Sequence, residues 1–360
     1  MLHAFAAFTA VAPALALAAC GGGGSGGGGV VGPGPGPVAG AVSVTERQVK
    51  VSTTPDVSLQ VRDWRAPGAT GPVIVLLAGL GGNARYFDSL APALAADFSR
   101  VVAISRRGYG LSSKPLPVKS ATQYYEVDDL VADLKAALDA LGLQRVVLAG
   151  HSIAGNELTR FAGRHPERVQ GLVYLDTTYN YTVDGDTGGE KPPDNKALNE
   201  PTPSYADTAS LQAAVAFNRR LTKNWWPALE ANLRDSLDLR PDGSVRPNTP
   251  DSVAEAMDFA AHHFVPDYSA VRAPALVVTA LPAAVRDLLP WVEEPLAPAA
   301  REDATTTVRL LRHVYQSNAD ELVAALKTSH RLTLDNACHT DFLMEREAEV
   351  LRAIRFMTWA

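Results

Sequence analysis

The sequence predicts an α/β domain built on a mostly parallel sheet. From about Val44 onward, short apolar runs rich in Val, Ile and Leu alternate with stretches of helical period, which is the pattern of strands buried on both faces by crossover helices. Two of those runs lead into glycine-bearing loops, Gly79-Leu80-Gly81-Gly82 and Arg106-Arg107-Gly108-Tyr109-Gly110, and loops beyond strand ends are where open α/β sheets hold ligands. The composition, 46% hydrophobic and 20% charged over 360 residues, supplies enough apolar side chains for one large core.

Taken in order, residues 44–64 alternate less cleanly and are expected to form an antiparallel hairpin at one sheet edge. Pro72–Ala78 and Arg100–Ser105 read as buried strands, followed by Arg145–Ala149, Gly171–Leu175, Ala275–Thr279 and Arg331–Leu334. Helices are expected over Asn83–Ala95, Val127–Leu141, Gly155–Arg164 and Glu345–Met357; Leu130, Leu134, Ala137, Leu138 and Leu141 keep the helical spacing. The stretch of about 179–268 breaks this rhythm. It opens with a Gly/Asp/Pro-rich loop and continues in helical pieces carrying Trp225 and Trp226, with no sheet strand expected, and reads as a helical lid. The two tryptophans are expected to pack the lid rather than touch substrate.

The first forty residues follow other rules. Phe5 to Ala19 is almost continuously apolar, the length of a signal-peptide core and short of the roughly 20 residues needed to span a bilayer. Residues 1–19 are therefore expected to be a signal peptide. Of the 28 glycines, 12 fall between Gly21 and Gly40, so residues 20–43 read as a flexible Gly/Pro-rich linker that buries nothing. Leu17-Ala18-Ala19-Cys20 resembles the lipobox of bacterial lipoproteins, although the leading Met1-Leu2-His3-Ala4 carries no Lys or Arg. That resemblance implies lipidation of Cys20 and an exported protein anchored to the bacterial cell envelope.

Charge and cysteine content exclude other classes. Lys plus Arg total 33 against 39 Asp plus Glu, a net charge of −6, and no basic block exists that could neutralise a phosphate backbone. No nucleic-acid partner is expected. With two cysteines only, Cys20 and Cys338, neither a disulfide framework nor a Cys-rich metal site is expected. The glycine loop after the first buried strand lacks the G-x-G-x-x-G spacing and a Walker lysine, so no nucleotide or other cofactor is expected.

Chemistry concentrates in Gly150-His151-Ser152-Ile153-Ala154-Gly155. A serine stands between small residues where a buried strand turns into a helix, the setting of a strained nucleophile elbow. The pattern resembles the G-x-S-x-G elbow of the α/β-hydrolase superfamily, with Ala154 in place of the last glycine. The resemblance covers about residues 44–360 and implies an α/β-hydrolase fold with a helical lid insertion. Among eight histidines, His339 alone follows the expected last strand and precedes the final helix, where the superfamily keeps its general base.

The acid is harder to place. The strand at Ala275–Thr279, after which most members carry it, has no immediate carboxylate. Asp176, one residue past the Gly171–Leu175 strand, occupies the place some members use instead, and Asp287 is the alternative. In Leu77-Ala78-Gly79-Leu80 the resemblance is to the His-Gly-x loop, with Ala78 replacing the histidine that usually stiffens the turn. Leu80 and Ile153 are the expected N–H donors of an oxyanion hole. Arg106 to Ser113 matches the superfamily's Arg-Gly-x-Gly-x-Ser turn, whose role is to shape the pocket floor.

These residues imply a serine hydrolase that cleaves a carboxylic ester, or a related acyl bond, of a small-molecule substrate through an acyl-enzyme. Serine at the elbow argues against the superfamily's dehalogenases and epoxide hydrolases, which attack with aspartate there. Amide, lactone and carbon–carbon bond hydrolysis stay open at this level. A lipoprotein that only binds its ligand, with a dead triad, is a further alternative.

Overall fold

The computed structural model describes residues 41–177, 180–183 and 185–359. The expected signal segment, Cys20 and the glycine run to Gly40 lie outside the described residues. The strands are β1 Ser43–Thr53, β2 Asp56–Arg65, β3 Val73–Leu77, β4 Arg100–Ile104, β5 Val146–His151, β6 Val169–Leu175, β7 Leu237–Leu239, β8 Val245–Pro247, β9 Ala275–Leu281 and β10 Ser329–Asp335. The helices are α1 Leu90–Leu94, α2 Val127–Ala140, α3 Ala154–Arg164, α4 Tyr205–Thr208, α5 Leu211–Arg220, α6 Pro227–Asp235, α7 Asp251–His262, α8 Val285–Leu288, α9 Pro298–Ala325, α10 Phe342–Glu345 and α11 Glu347–Phe356.

Eight strands form one sheet in the order β1-β2-β4-β3-β5-β6-β9-β10. Only β2 runs against its neighbours on both sides; from β4 through β10 every pairing is parallel. The reason lies in the side chains, which alternate between two apolar faces. Ile74 and Leu76 of β3 join the core under α1 and α11, whereas Val75 and Leu77 join the core under α2 and α3. Burial on both faces is what continuous Val/Ile/Leu runs provide. The chain reverses its direction of travel across the sheet between β3 and β5, which opens a crevice at their C-terminal ends.

Two expectations are corrected by local chemistry. Asn83–Ala95 is not one helix: a short turn over Ala84–Phe87 is followed by the separate α1, because Pro92 has no N–H to return to the preceding turn and its ring crowds that turn's carbonyl. The expected final helix is present as α11, set off from α10 at Arg346, whose backbone leaves helical geometry (φ −115°, ψ 24°) while its side chain bonds the Asp335 carbonyl and Glu349. The insertion between β6 and β9 does contain strands. β7 and β8 pair around Pro241-Asp242-Gly243-Ser244, with Gly243 at φ 84° and Asp242 accepting from the Ser244 N–H. They stand apart from the main sheet. Trp225 and Trp226, expected to pack the lid, are partly buried against the main core cluster.

Candidate active site

At the C-terminal end of β5, the chain turns into α3 through Ser152, which sits at φ 55°, a backbone region that costs a non-glycine residue about 1–3 kcal/mol. The turn closes through the Ser152 N–H to the Leu175 carbonyl (3.2 Å) and the Gly155 N–H to the Ser152 carbonyl (3.0 Å). Its tightness explains the small residues around it. A Cβ on Gly155 would lie 1.9 Å from Thr177 Oγ1, and one on Gly79 would lie 3.0 Å from Ser152 Cβ. The loop after β3 and the elbow after β5 therefore press directly together in the crevice.

Asp176 follows β6 at φ 51° and is fully buried. Its Oδ1 accepts the Ala280 N–H of β9 at 2.8 Å, and its Oδ2 lies 2.6 Å from His339 Nδ1. The structure thus brings Asp176 and His339 together. Asp287 is elsewhere: it accepts the Ala283 and Ala284 N–H groups and pairs with Lys223 at 2.8 Å. Burial would raise its carboxyl, but Lys223 and those two N–H groups hold it below the ordinary value. Asp287 serves a structural anchor, because Lys223 also reaches Glu345 and the Asn336 carbonyl.

The loop carrying His339 is tethered to the elbow by groups that carry no obvious sequence signal. His151 Nε2 lies 3.1 Å from the His339 carbonyl; since a carbonyl only accepts, that nitrogen carries the proton. Burial, then the proximity of His339, pushes the His151 imidazole well below its ordinary value, so it stays neutral. The His151 ring stands 4.6 Å from that of His339 and stacks on Tyr86 at 5.0 Å, and the Tyr86 hydroxyl donates to the Thr340 carbonyl at 3.0 Å. From the insertion, Tyr181 stands beside Ser152, and burial pushes its hydroxyl above the ordinary value. Nothing in the local pattern around Tyr181 marks it; only the position of its loop beyond β6 could have pointed there.

The Gly79–Gly82 turn is closed by the Gly82 N–H on the Gly79 carbonyl at 3.1 Å, with Gly81 at φ 72°. Among the described residues, no backbone carbonyl takes up the N–H of Leu80 or of Ile153. Their side chains belong to one apolar cluster with Val253, Ala256 and Met257 of α7, so the insertion covers both candidate donors. Asn232 of α6 bonds both the N–H and the side chain of Asn83. Among the described residues, no group of three His, Cys, Asp or Glu side chains could hold a metal ion.

Residues 72–221 match the family model described as alpha/beta hydrolase fold. Among curated proteins, the chain is 31% identical over 156 residues to Epoxide hydrolase B of Mycobacterium tuberculosis, a match covering 41% of this chain and 43% of that one. The chain thus matches less than half the length of that relative. Among solved structures, it superposes on E-2-(acetamidomethylene)succinate hydrolase with a TM-score of 0.59 at 20% identity, covering 87% of this chain and 99% of the other. The thioesterase domain from the curacin biosynthetic pathway gives a TM-score of 0.60 at 14% identity over 87% and 99%. The chain thus has the α/β-hydrolase fold, and its residues 72–221 are similar to the family of that description.

Proposed function

We propose that this protein is a serine hydrolase that cleaves a carboxylic ester of a small molecule by two-step acyl transfer. The observation that carries the reading is the 2.6 Å contact between His339 Nδ1 and buried Asp176 Oδ2, made by a histidine whose loop is fastened to the residue beside Ser152. Serine needs a base to become a nucleophile, and a base needs its far nitrogen held to present the right tautomer. In this scheme Ser152 Oγ attacks the carbonyl carbon and His339 Nε2 takes its proton, while Asp176 holds the resulting imidazolium. The Leu80 and Ile153 N–H groups receive the oxyanion, His339 returns the proton to the leaving alcohol, and water then releases the acid.

Ser152 at the elbow favours acyl transfer over the epoxide opening suggested by one relative's name, which in this superfamily uses an aspartate there. The apolar insertion over the site, which we read as a lid, favours an acyl or aryl group. Turnover of p-nitrophenyl esters of graded chain length tests the reading: activity should appear on one or more of them and fall by at least about a thousandfold in Ser152→Ala. Esterase activity that survives that substitution would remove Ser152 from the chemistry. We also propose export and anchoring through a lipid on Cys20; Cys20→Ser should then move the protein from the membrane to the soluble fraction, and unchanged membrane association would reject the anchor.

A further inference from the structure

Where the superfamily resemblance leads one to expect a histidine on the loop after β3, this chain has Ala78, yet the loop is held. The group holding it comes from the next strand. Arg106, just past β4, has a side chain only 4% exposed and donates from Nη1 to the Gly79 carbonyl at 3.0 Å and from Nη2 to the Ala78 carbonyl at 2.6 Å. The same Nη2 lies 2.7 Å from Oε1 of Glu157, equally buried in the first turn of α3. One guanidinium thus joins the β3 loop, the end of β4 and the helix that follows the elbow.

The geometry has a chemical consequence because the Gly79 carbonyl and the Leu80 N–H belong to one peptide unit. That unit is planar and trans, so fixing the direction of its C=O fixes the N–H in the opposite direction. A cation on the oxygen end also draws electron density along the amide and makes the N–H a stronger donor. Stability alone is a poor reason for the arrangement, since a buried ion pair is often no better than apolar side chains of similar volume.

We propose that Arg106 is the positioning residue of the oxyanion site: acting through the Gly79 carbonyl, it aims and polarises the Leu80 N–H, with Glu157 as its counter-charge. This deepens the function proposed above and rests on it for the chemistry. Arg106→Met alone would strand the Glu157 carboxylate, so the test uses the double variant Arg106→Met with Glu157→Met, which removes both charges at similar volume, alongside Arg106→Lys.

Two readouts are taken on the full-length protein. By hydrogen exchange and mass spectrometry, peptides covering residues 77–84 should exchange faster in the folded double variant than in the parent. By ester kinetics, kcat should fall about ten- to a hundredfold, less than the 10²- to 10³-fold of deleting a donor outright, with KM within roughly twofold. Arg106→Lys, which keeps the charge but not the two-pronged geometry, should fall between. A folded double variant with unchanged exchange over 77–84, or with kcat like the parent, overturns the proposal. If the parent hydrolyses no ester, the function reading fails by itself, and the exchange measurement still decides whether Arg106 orders the loop.

Discussion

Asp176 has each carboxylate oxygen assigned: one to a sheet N–H and the other to His339. Asp176→Asn should therefore offer His339 the wrong partner and cut kcat by about 10³- to 10⁴-fold. Asp287→Asn should leave kcat within a few-fold while lowering the melting temperature, because it removes the buried partner of Lys223 and leaves that ammonium only Glu345 and the Asn336 carbonyl; steady-state kinetics beside thermal melts separate the two. A different carboxyl predicts a pH effect. Burial pushes Glu200 up to about 7. Below the ordinary value near 4.5 both folded and unfolded chains hold the proton, and above it the unfolded chain ionises first. Stability is thus lost as pH rises through about 7. Glu200→Gln should melt like the parent at pH 4 and higher than it at pH 8; equal melting at both would reject the effect. Ser152, Asp176 and His339 were legible because each follows a buried strand within a short signature. The contacts of Arg106 and the place of Tyr181 were not, because no local pattern marks what their side chains meet.

The elements of the sheet were legible for a simple reason: strands buried on both faces leave an unbroken apolar run that no surface segment imitates. All six strands named from sequence are present, and the edge hairpin 44–64 appears as β1 and β2. Errors collected where one residue overrides a pattern, as at Pro92, or where a turn was overlooked, as at Asp242-Gly243. The join of α3 to the end of β6 gives a sharp test at this scale. With 1.9 Å between a Cβ on Gly155 and Thr177 Oγ1, Gly155→Ala should destabilise by about 1–3 kcal/mol. Adding Thr177→Ala should restore much of that loss, and denaturant titration of the four proteins measures the coupling. Additive losses would mean that the close approach is not what requires glycine.

At the level of the whole molecule, the crevice at the reversal between β3 and β5 gathers the β3 loop, the elbow, Asp176 and His339, while α6 and α7 close over it from the insertion. Among the described residues the core begins at Val49, so a protein beginning at residue 41 should keep the melting temperature and kcat/KM of the full chain; a loss of either would assign residues 1–40 a part in the fold or the site. Composition set the first forty residues apart from the rest, whereas the meeting of distant groups at one crevice becomes visible only in three dimensions. The claim on which the rest depends is that Ser152 is a nucleophile activated by His339. Reaction with a fluorophosphonate, with the modified peptide located by mass spectrometry in the parent and in His339→Ala, addresses it most directly. The label is expected on Ser152 in the parent, at a rate lower by orders of magnitude in the variant. A parent that takes no label, or a variant labelled at Ser152 just as fast, would contradict the claim.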